Sequence, residues 1–337
     1  MRTARLGERG PLVSTVGLGT MSLLTSNDQD AVTRLVHEAL DAGITLVDTA
    51  DVYCDGAVER ALAPALRGRR DEVVLATKAG LPMDGDPLRS GGSARWITQA
   101  ADDSLRRLGT DRLDLFQLHR PDPATPIEET MAAFDDLIRA GKVRFAGSSV
   151  FPAELLVQSA WAASDAGSAP LVSEQAPYSV FVRGIEASVL PTARRLGMGV
   201  IAWGPLNGGW LTGKYRRGAA APEGSRAASG NPFVRADDET KLTLVERLST
   251  VAHDEGVDLT SLSLGWAQEH PAITSILVGP RTSGQLHELL QASETVLSTA
   301  ALDAIDAIVA PGTNVDPRNA GWTSPALSPG ERRRERA

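Results

Sequence analysis

Apolar residues along this chain switch repeatedly between the three-to-four-residue spacing of a helix and short runs of β-branched residues. Val32, Leu35, Val36, Ala39 and Leu40 share one helical face and predict a helix over 28–42, which Gly43 stops. Ile44-Thr45-Leu46-Val47 then predicts a buried strand over 44–48. The alternation recurs as helix 57–67, strand 72–78, helix 94–108, strand 113–118, helix 127–140 and strand 143–148. It continues as helix 152–165, strand 170–175, helix 185–196 and strand 199–203. Helices over 237–255 and 259–269, a strand over 273–278 and a helix over 283–292 complete it. Between strand 199–203 and helix 237–255, the segment 204–236 is rich in Gly, Ala, Pro and Arg and has no clear period. At the start, 3–7 and 12–16 flank Gly10-Pro11 and read as a small hairpin leading into a strand that ends at Gly17-Leu18-Gly19.

About eight βα repeats imply a parallel sheet, and eight of them a closed (β/α)8 TIM barrel. The expected fold is that barrel with an N-terminal β-hairpin and long loops after strands three and seven. A doubly wound open sheet would show a Gly-rich fingerprint after its first strand. Gly17-Leu18-Gly19 runs instead into Thr20-Met21-Ser22, so that pattern is not met. With no internal boundary, 1–311 read as a single barrel domain. The segment 312–337 is rich in Pro and Ser; its first part, through Trp322, is expected over the barrel mouth, and its end as a mobile tail.

Composition narrows the function. The chain has 337 residues, 42% of them hydrophobic, a net charge of −8 and a pI near 5.3. That balance argues against nucleic acid and anionic membrane surfaces as partners. No apolar run approaches the ~20 residues of a membrane helix, and the N-terminus lacks the apolar region of a signal peptide. Cys54 is the one cysteine, which excludes an intrachain disulfide and a cysteine-built metal site. A cytoplasmic protein is expected; composition leaves its oligomeric state open.

The candidate chemistry lies at strand ends. Asp48 closes strand two, Lys78 strand three and His119 strand four, with Tyr53 in the loop after strand two. In a barrel all four project from the face that carries active sites. Neighbouring strands are ~4.8 Å apart, so the side chains can meet. An unpaired acid at a buried strand end is costly, and four such residues on adjacent strands are hard to obtain from packing. A lysine ammonium beside a tyrosine stabilises the phenolate; a carboxylate keeps the lysine charged; a neutral histidine can orient a carbonyl oxygen. This suits proton donation to a carbonyl oxygen as hydride reaches carbon. No side chain supplies hydride, so a nicotinamide cofactor is implied. The five histidines are scattered and His119 has no partner at ligand spacing, so no metal is expected.

With these segments in view, the sequence resembles the aldo-keto reductase family. The resemblance lies in DTADVY, ATK, DLFQLHRPD, GKVRFAGSSVF, SEQAPYSV, AWGPLNGGWLTGKY and SILVGPRTSGQLHELL, in the family's order over roughly 3–295. It implies that Tyr53 is the general acid, Lys78 tunes it, Asp48 supports Lys78 and His119 orients the carbonyl of a small-molecule substrate. It further implies that Ser149 and Gln175 hold the nicotinamide carboxamide and that Trp203 stacks on the ring. Gly204, Pro205 and Leu206, with Leu211, Gly213 and Lys214, match the pyrophosphate loop; Gly279, Arg281, Gln285 and Glu288 match the adenosine end. Arg281 can supply a charged fork for a 2′-phosphate, so NADPH is expected over NADH. The sequence departs from the family at Val150 for the usual Asn, at Gly204 for Ser and at Leu289 for Asn. Met21, Phe151 and Trp322 are candidates for the substrate pocket wall. A cofactor-binding regulatory protein like a channel β-subunit, and a biosynthetic ketoreductase for a sugar or secondary metabolite, are the alternative functions.

Overall fold

In the computed structural model, residues 1–24, 28–230 and 234–333 are described. Two short strands, β1 (Thr3–Arg5) and β2 (Leu12–Ser14), pair antiparallel as the expected hairpin. Eight further strands follow: β3 (Val16–Gly19), β4 (Leu46–Asp48), β5 (Val74–Ala79), β6 (Leu113–Leu118), β7 (Val143–Ser149), β8 (Ser173–Pro177), β9 (Gly199–Trp203) and β10 (Ile273–Val278). They close into a parallel barrel in the order β10-β3-β4-β5-β6-β7-β8-β9. The helices that return the chain are α1 (Gln29–Asp41), α2 (Ala57–Leu66), α3 (Ala94–Leu108), α4 (Ile127–Arg139), α5 (Ala153–Ala166), α6 (Val189–Arg195), α7 (Glu239–Asp254), α8 (Leu259–Glu269) and α9 (Ser283–Ala292). Helix α10 (Thr299–Ile308) comes after the last repeat and extends the expected pattern.

The core has two layers. Between sheet and helices runs the larger one, including Val36, Leu62, Ile97, Phe116, Phe134 and Leu262. Inside the barrel Leu46, Ala76, Leu115, Val172, Ile201 and Leu277 meet Leu6 and Val13 of the hairpin segment. The hairpin is therefore the plug at the barrel's N-terminal end. Its docking needs Gly7, in the hairpin turn, and Gly199, at the start of β9, where a Cβ on either would run into the backbone of the other segment.

The inward apolar layer sets the site, because side chains alternate along a strand. Two residues beyond Leu46, Ala76 and Leu115 stand Asp48, Lys78 and Gln117, with His119 two further on. Two beyond Ser173 and Ile201 stand Gln175 and Trp203. The apolar bottom of the barrel thus becomes a polar layer at its C-terminal mouth.

Boundaries differ from the sequence reading in places. The strand expected over 170–175 lies at Ser173–Pro177, and the helix expected over 185–196 breaks at Ser188 into a 3-10 turn and α6. Lys78 is followed by Ala79 within β5 rather than ending it. Part of the segment 204–236 winds into a 3-10 turn, Asn207–Thr212; residues 231–233 of that segment, and 334–337 at the end of the expected tail, lie outside the described residues. The C-terminal segment crosses the mouth at Gly321, whose carbonyl accepts from Arg120 Nε at 3.1 Å and which packs against Val150 and Trp203.

Candidate active site

Lys78 sits at the centre, 1% exposed. Its ammonium has three donors and three acceptors: Asp48 Oδ1 at 2.6 Å, Thr49 O at 2.8 Å and Tyr53 OH at 3.3 Å. The other Asp48 oxygen accepts from Gln175 Nε2 at 2.8 Å and Gln117 Nε2 at 3.3 Å. Burial works against the Lys78 charge, but the Asp48 carboxylate and the Tyr53 oxygen outweigh it and hold the ammonium above its ordinary pKa. Tyr53 OH accepts from Lys78, and its own proton has no acceptor among the described residues. That proton is free to be given away.

His119 faces Tyr53 edge-on, with ring centroids 6.0 Å apart. Burial, then the charges of Lys78 and Arg120, push its pKa well below the ordinary histidine value, so the ring is neutral near pH 7. Its Nδ1 is buried without a partner, whereas Nε2 keeps access to the mouth. A ring protonated at Nε2 can donate there to a substrate oxygen. The structure brings Asp48, Tyr53, Lys78 and His119 together as one cluster.

The residues expected around a nicotinamide lie beside it. Ser149 pairs with Gln175 in the β7–β8 register, and Ser149 Oγ donates to Gln175 O at 2.9 Å. Since the Gln175 amide nitrogen is bound to Asp48, the Gln175 Oε1 and the Ser149 lone pairs are what a carboxamide N–H would meet. Val150, where the family has Asn, holds φ at 59°, a left-handed conformation unfavourable for a β-branched residue. Trp203 closes β9 half-buried, with Gly321 against its ring.

Where the phosphates are expected lies a cluster of cations. Lys214 lies over Gly209, whose φ of 94° and missing side chain leave room for the ammonium. Burial and then the charges of Arg281 and Arg226 pull the Lys214 pKa down. None of the three cations has a carboxylate partner among the described residues. Arg281 Nη1 instead donates to Gly224 O at 2.7 Å, tying β10's loop to the segment 204–236. Gln285 Oε1 accepts from Arg281 N at 2.9 Å, so it fixes the backbone of that arginine. Gly204, Leu206 and Gly213 are partly exposed, Gly279 is exposed and Pro205 is buried. Leu211 is wholly buried in the core and its amide donates to Leu206 O. Glu288 is exposed one turn into α9. Unpaired cations above a glycine-rich turn, beside an aromatic and a carboxamide-binding pair, fit a nicotinamide dinucleotide.

The expected pocket residues separate. Met21 is half exposed on the loop after β3 and Trp322 half buried beside Gly321. Phe151 is buried and lines, with Leu118, Leu155 and Trp161, a cavity of about 420 Å³ that none of the four catalytic candidates lines. The sequence reading missed Arg226 and Arg120. Arg226 had no periodic element around it to place it; Arg120 follows His119 directly, and its position at the strand end was the available signal.

The comparisons agree with this geometry. The family model described as the aldo/keto reductase family matches residues 15–310. The chain belongs to the aldo/keto reductase family. Members are NAD(P)H-dependent oxidoreductases of small-molecule carbonyl substrates, so this protein is an NAD(P)H-dependent oxidoreductase. It is 37% identical over 321 residues, 91% of this chain and 96% of the relative, to the uncharacterized oxidoreductase YrpG of Bacillus subtilis. It is 32% identical to a probable voltage-gated potassium channel subunit beta of Arabidopsis thaliana, over 92% of this chain and 97% of that protein. It is likewise 32% identical to the L-glyceraldehyde 3-phosphate reductase of Escherichia coli K12, over 85% of this chain and 86% of that one. Among the described residues no helix is long and apolar enough to cross a membrane.

Proposed function

We propose that this aldo/keto reductase uses NADPH to reduce an aldehyde or ketone to an alcohol, with Tyr53 as general acid. The observation that carries the reading is the Lys78 ammonium 2.6 Å from Asp48 and 3.3 Å from the Tyr53 oxygen. Bound nicotinamide supplies the hydride. Ser149, Gln175 and Trp203 would hold its ring, and Lys214, Arg226 and Arg281 would hold the phosphates. His119 donates from Nε2 to the carbonyl oxygen and orients it. Tyr53 gives that oxygen its proton, and Lys78 stabilises the phenolate left behind. Asp48 keeps Lys78 charged and fixed, with Gln117 and Gln175 completing its hydrogen bonds. Residues 1–311 act in this reading as one catalytic domain, with the segment through Trp322 as part of the mouth wall.

NADPH is favoured over NADH because Arg281 and Arg226 are clustered and have no carboxylate partner among the described residues, which suits the 2′-phosphate dianion. A screen of aldehydes and ketones by loss of NADPH absorbance tests the proposal. The relatives named as potassium channel β-subunits favour a second reading, a cofactor-binding regulatory protein with slow turnover. Binding of NADPH without steady-state oxidation by any carbonyl compound would select it.

A further inference from the structure

Arg120 lies in the mouth with no salt-bridge partner among the described residues. Its Nη1 donates to His119 O at 2.6 Å and its Nε to Gly321 O at 3.1 Å. Both acceptors are neutral carbonyls. A guanidinium has five N–H groups in a fixed fork, and the rest of them have no partner among the described residues. Glu174, the acid whose charge acts on Arg120, and Asp122 are both engaged elsewhere. Asp122, two residues on, accepts from Gly92 N, Ala124 N and Thr125 Oγ1. Glu174 accepts from Ser148 Oγ and Phe151 N.

The position is specific. On one side of the guanidinium is the backbone of His119, whose ring faces Tyr53. On the other is Gly321, which packs against Trp203 and Val150. The head group therefore stands between the proton-donating pair and the aromatic at the nicotinamide end. An unpaired, half-buried cation in that place is complementary to negative charge on a bound molecule. Burial also pulls the Arg120 pKa below its ordinary value, against a smaller opposite pull from Tyr53 and Glu174.

We propose that Arg120 anchors an anionic group, a carboxylate or a phosphate ester, on the carbonyl substrate, and so selects acidic aldehydes or ketones over neutral ones. The proposal rests on the carbonyl reductase reading above and names its substrate class.

The test uses the full-length enzyme with NADPH and two matched pairs: succinic semialdehyde against butanal, and glyceraldehyde 3-phosphate against glyceraldehyde. A charged hydrogen bond is worth about 10- to 150-fold, so kcat/KM should favour the anionic member of at least one pair by about that factor, chiefly through KM. The pair with the larger ratio tells carboxylate from phosphate. In Arg120→Met the anionic-to-neutral ratio should fall toward one, and Arg120→Lys, which keeps the charge but not the fork, should recover part of it. If both members of each pair lose equally, Arg120 is only a tie to Gly321 and the proposal fails. Absence of a wild-type preference in both pairs overturns it without any variant.

Binding gives a readout separate from turnover. The enzyme–NADP complex is titrated with 4-hydroxybutanoate against 1-butanol, followed by tryptophan fluorescence. The wild type should bind the carboxylate at least about 10-fold more tightly than Arg120→Met does. If no aldehyde is reduced while this dependence persists, the reductase reading falls and the anchor stands. If aldehydes are reduced but anion binding ignores Arg120, the anchor falls and the reductase reading stands.

Discussion

Lys78 Nζ lies 2.6 Å from Asp48 Oδ1, and both side chains are buried. The pair is the hinge between fold and chemistry: β4 and β5 bring it together, and the third hydrogen bond of the ammonium reaches Tyr53. Removing one partner of a buried pair leaves an uncompensated charge, which costs about 3–5 kcal/mol. Asp48→Asn should lower stability by that order in urea denaturation. A loss under about 1 kcal/mol would show that the pair is not desolvated as described.

Glu174 provides a pH signature. Burial raises its pKa from 4.5 to about 8. Between those values the folded protein keeps a proton that the unfolded chain has released, so stability from this group is full below pH 4.5 and is lost as pH rises toward 8. The slope is up to about 1.4 kcal/mol per pH unit. Glu174→Gln mimics the protonated form, accepting from Phe151 N and donating to Ser148 Oγ. Its stability relative to wild type should therefore rise steadily from pH 5 to pH 8. Asp51, raised to about 7, and His119 are shared by both proteins and cancel in the difference. A difference independent of pH would place an ionised Glu174 in the fold.

Arg281 is expected to read the 2′-phosphate while also holding Gly224. Arg281→Ala should weaken NADPH binding by about 10- to 150-fold. NADH binding should weaken only by the smaller, shared effect of releasing the loop. Dissociation constants for the two cofactors measure this directly. Equal losses would put Arg281 away from the phosphate.

The barrel and the central cluster were legible because the strand period carries them. Leu46, Ala76 and Leu115 point inward, so the residues two positions on must point inward too, at the end where the strands stop. Helix α10 was also written in the sequence: Ser298 caps it through Ala301 N, and Ala301 and Ile305 form its buried face. It lies beyond the eighth repeat, outside the βα alternation. What could not be read was long-range. The left-handed Val150 depends on the turn after β7, and the cluster of Lys214, Arg226 and Arg281 joins a loop without period to a loop after β10. Arg120 stands beside His119 in the chain, but its unpaired state depends on Gly321, far along the sequence, and on how Asp122 and Glu174 are engaged.

The central claim is that Tyr53 delivers the proton. Tyr53→Phe removes the hydroxyl and keeps the ring, leaving Lys78 with Asp48 and Thr49 as acceptors. With a carbonyl substrate of the wild type in hand, single-turnover reduction by Tyr53→Phe should be slower by at least about 100-fold, with the NADPH dissociation constant essentially unchanged. Reduction by Tyr53→Phe within about threefold of the wild-type rate, well inside the contribution expected of a general acid, would contradict the mechanism.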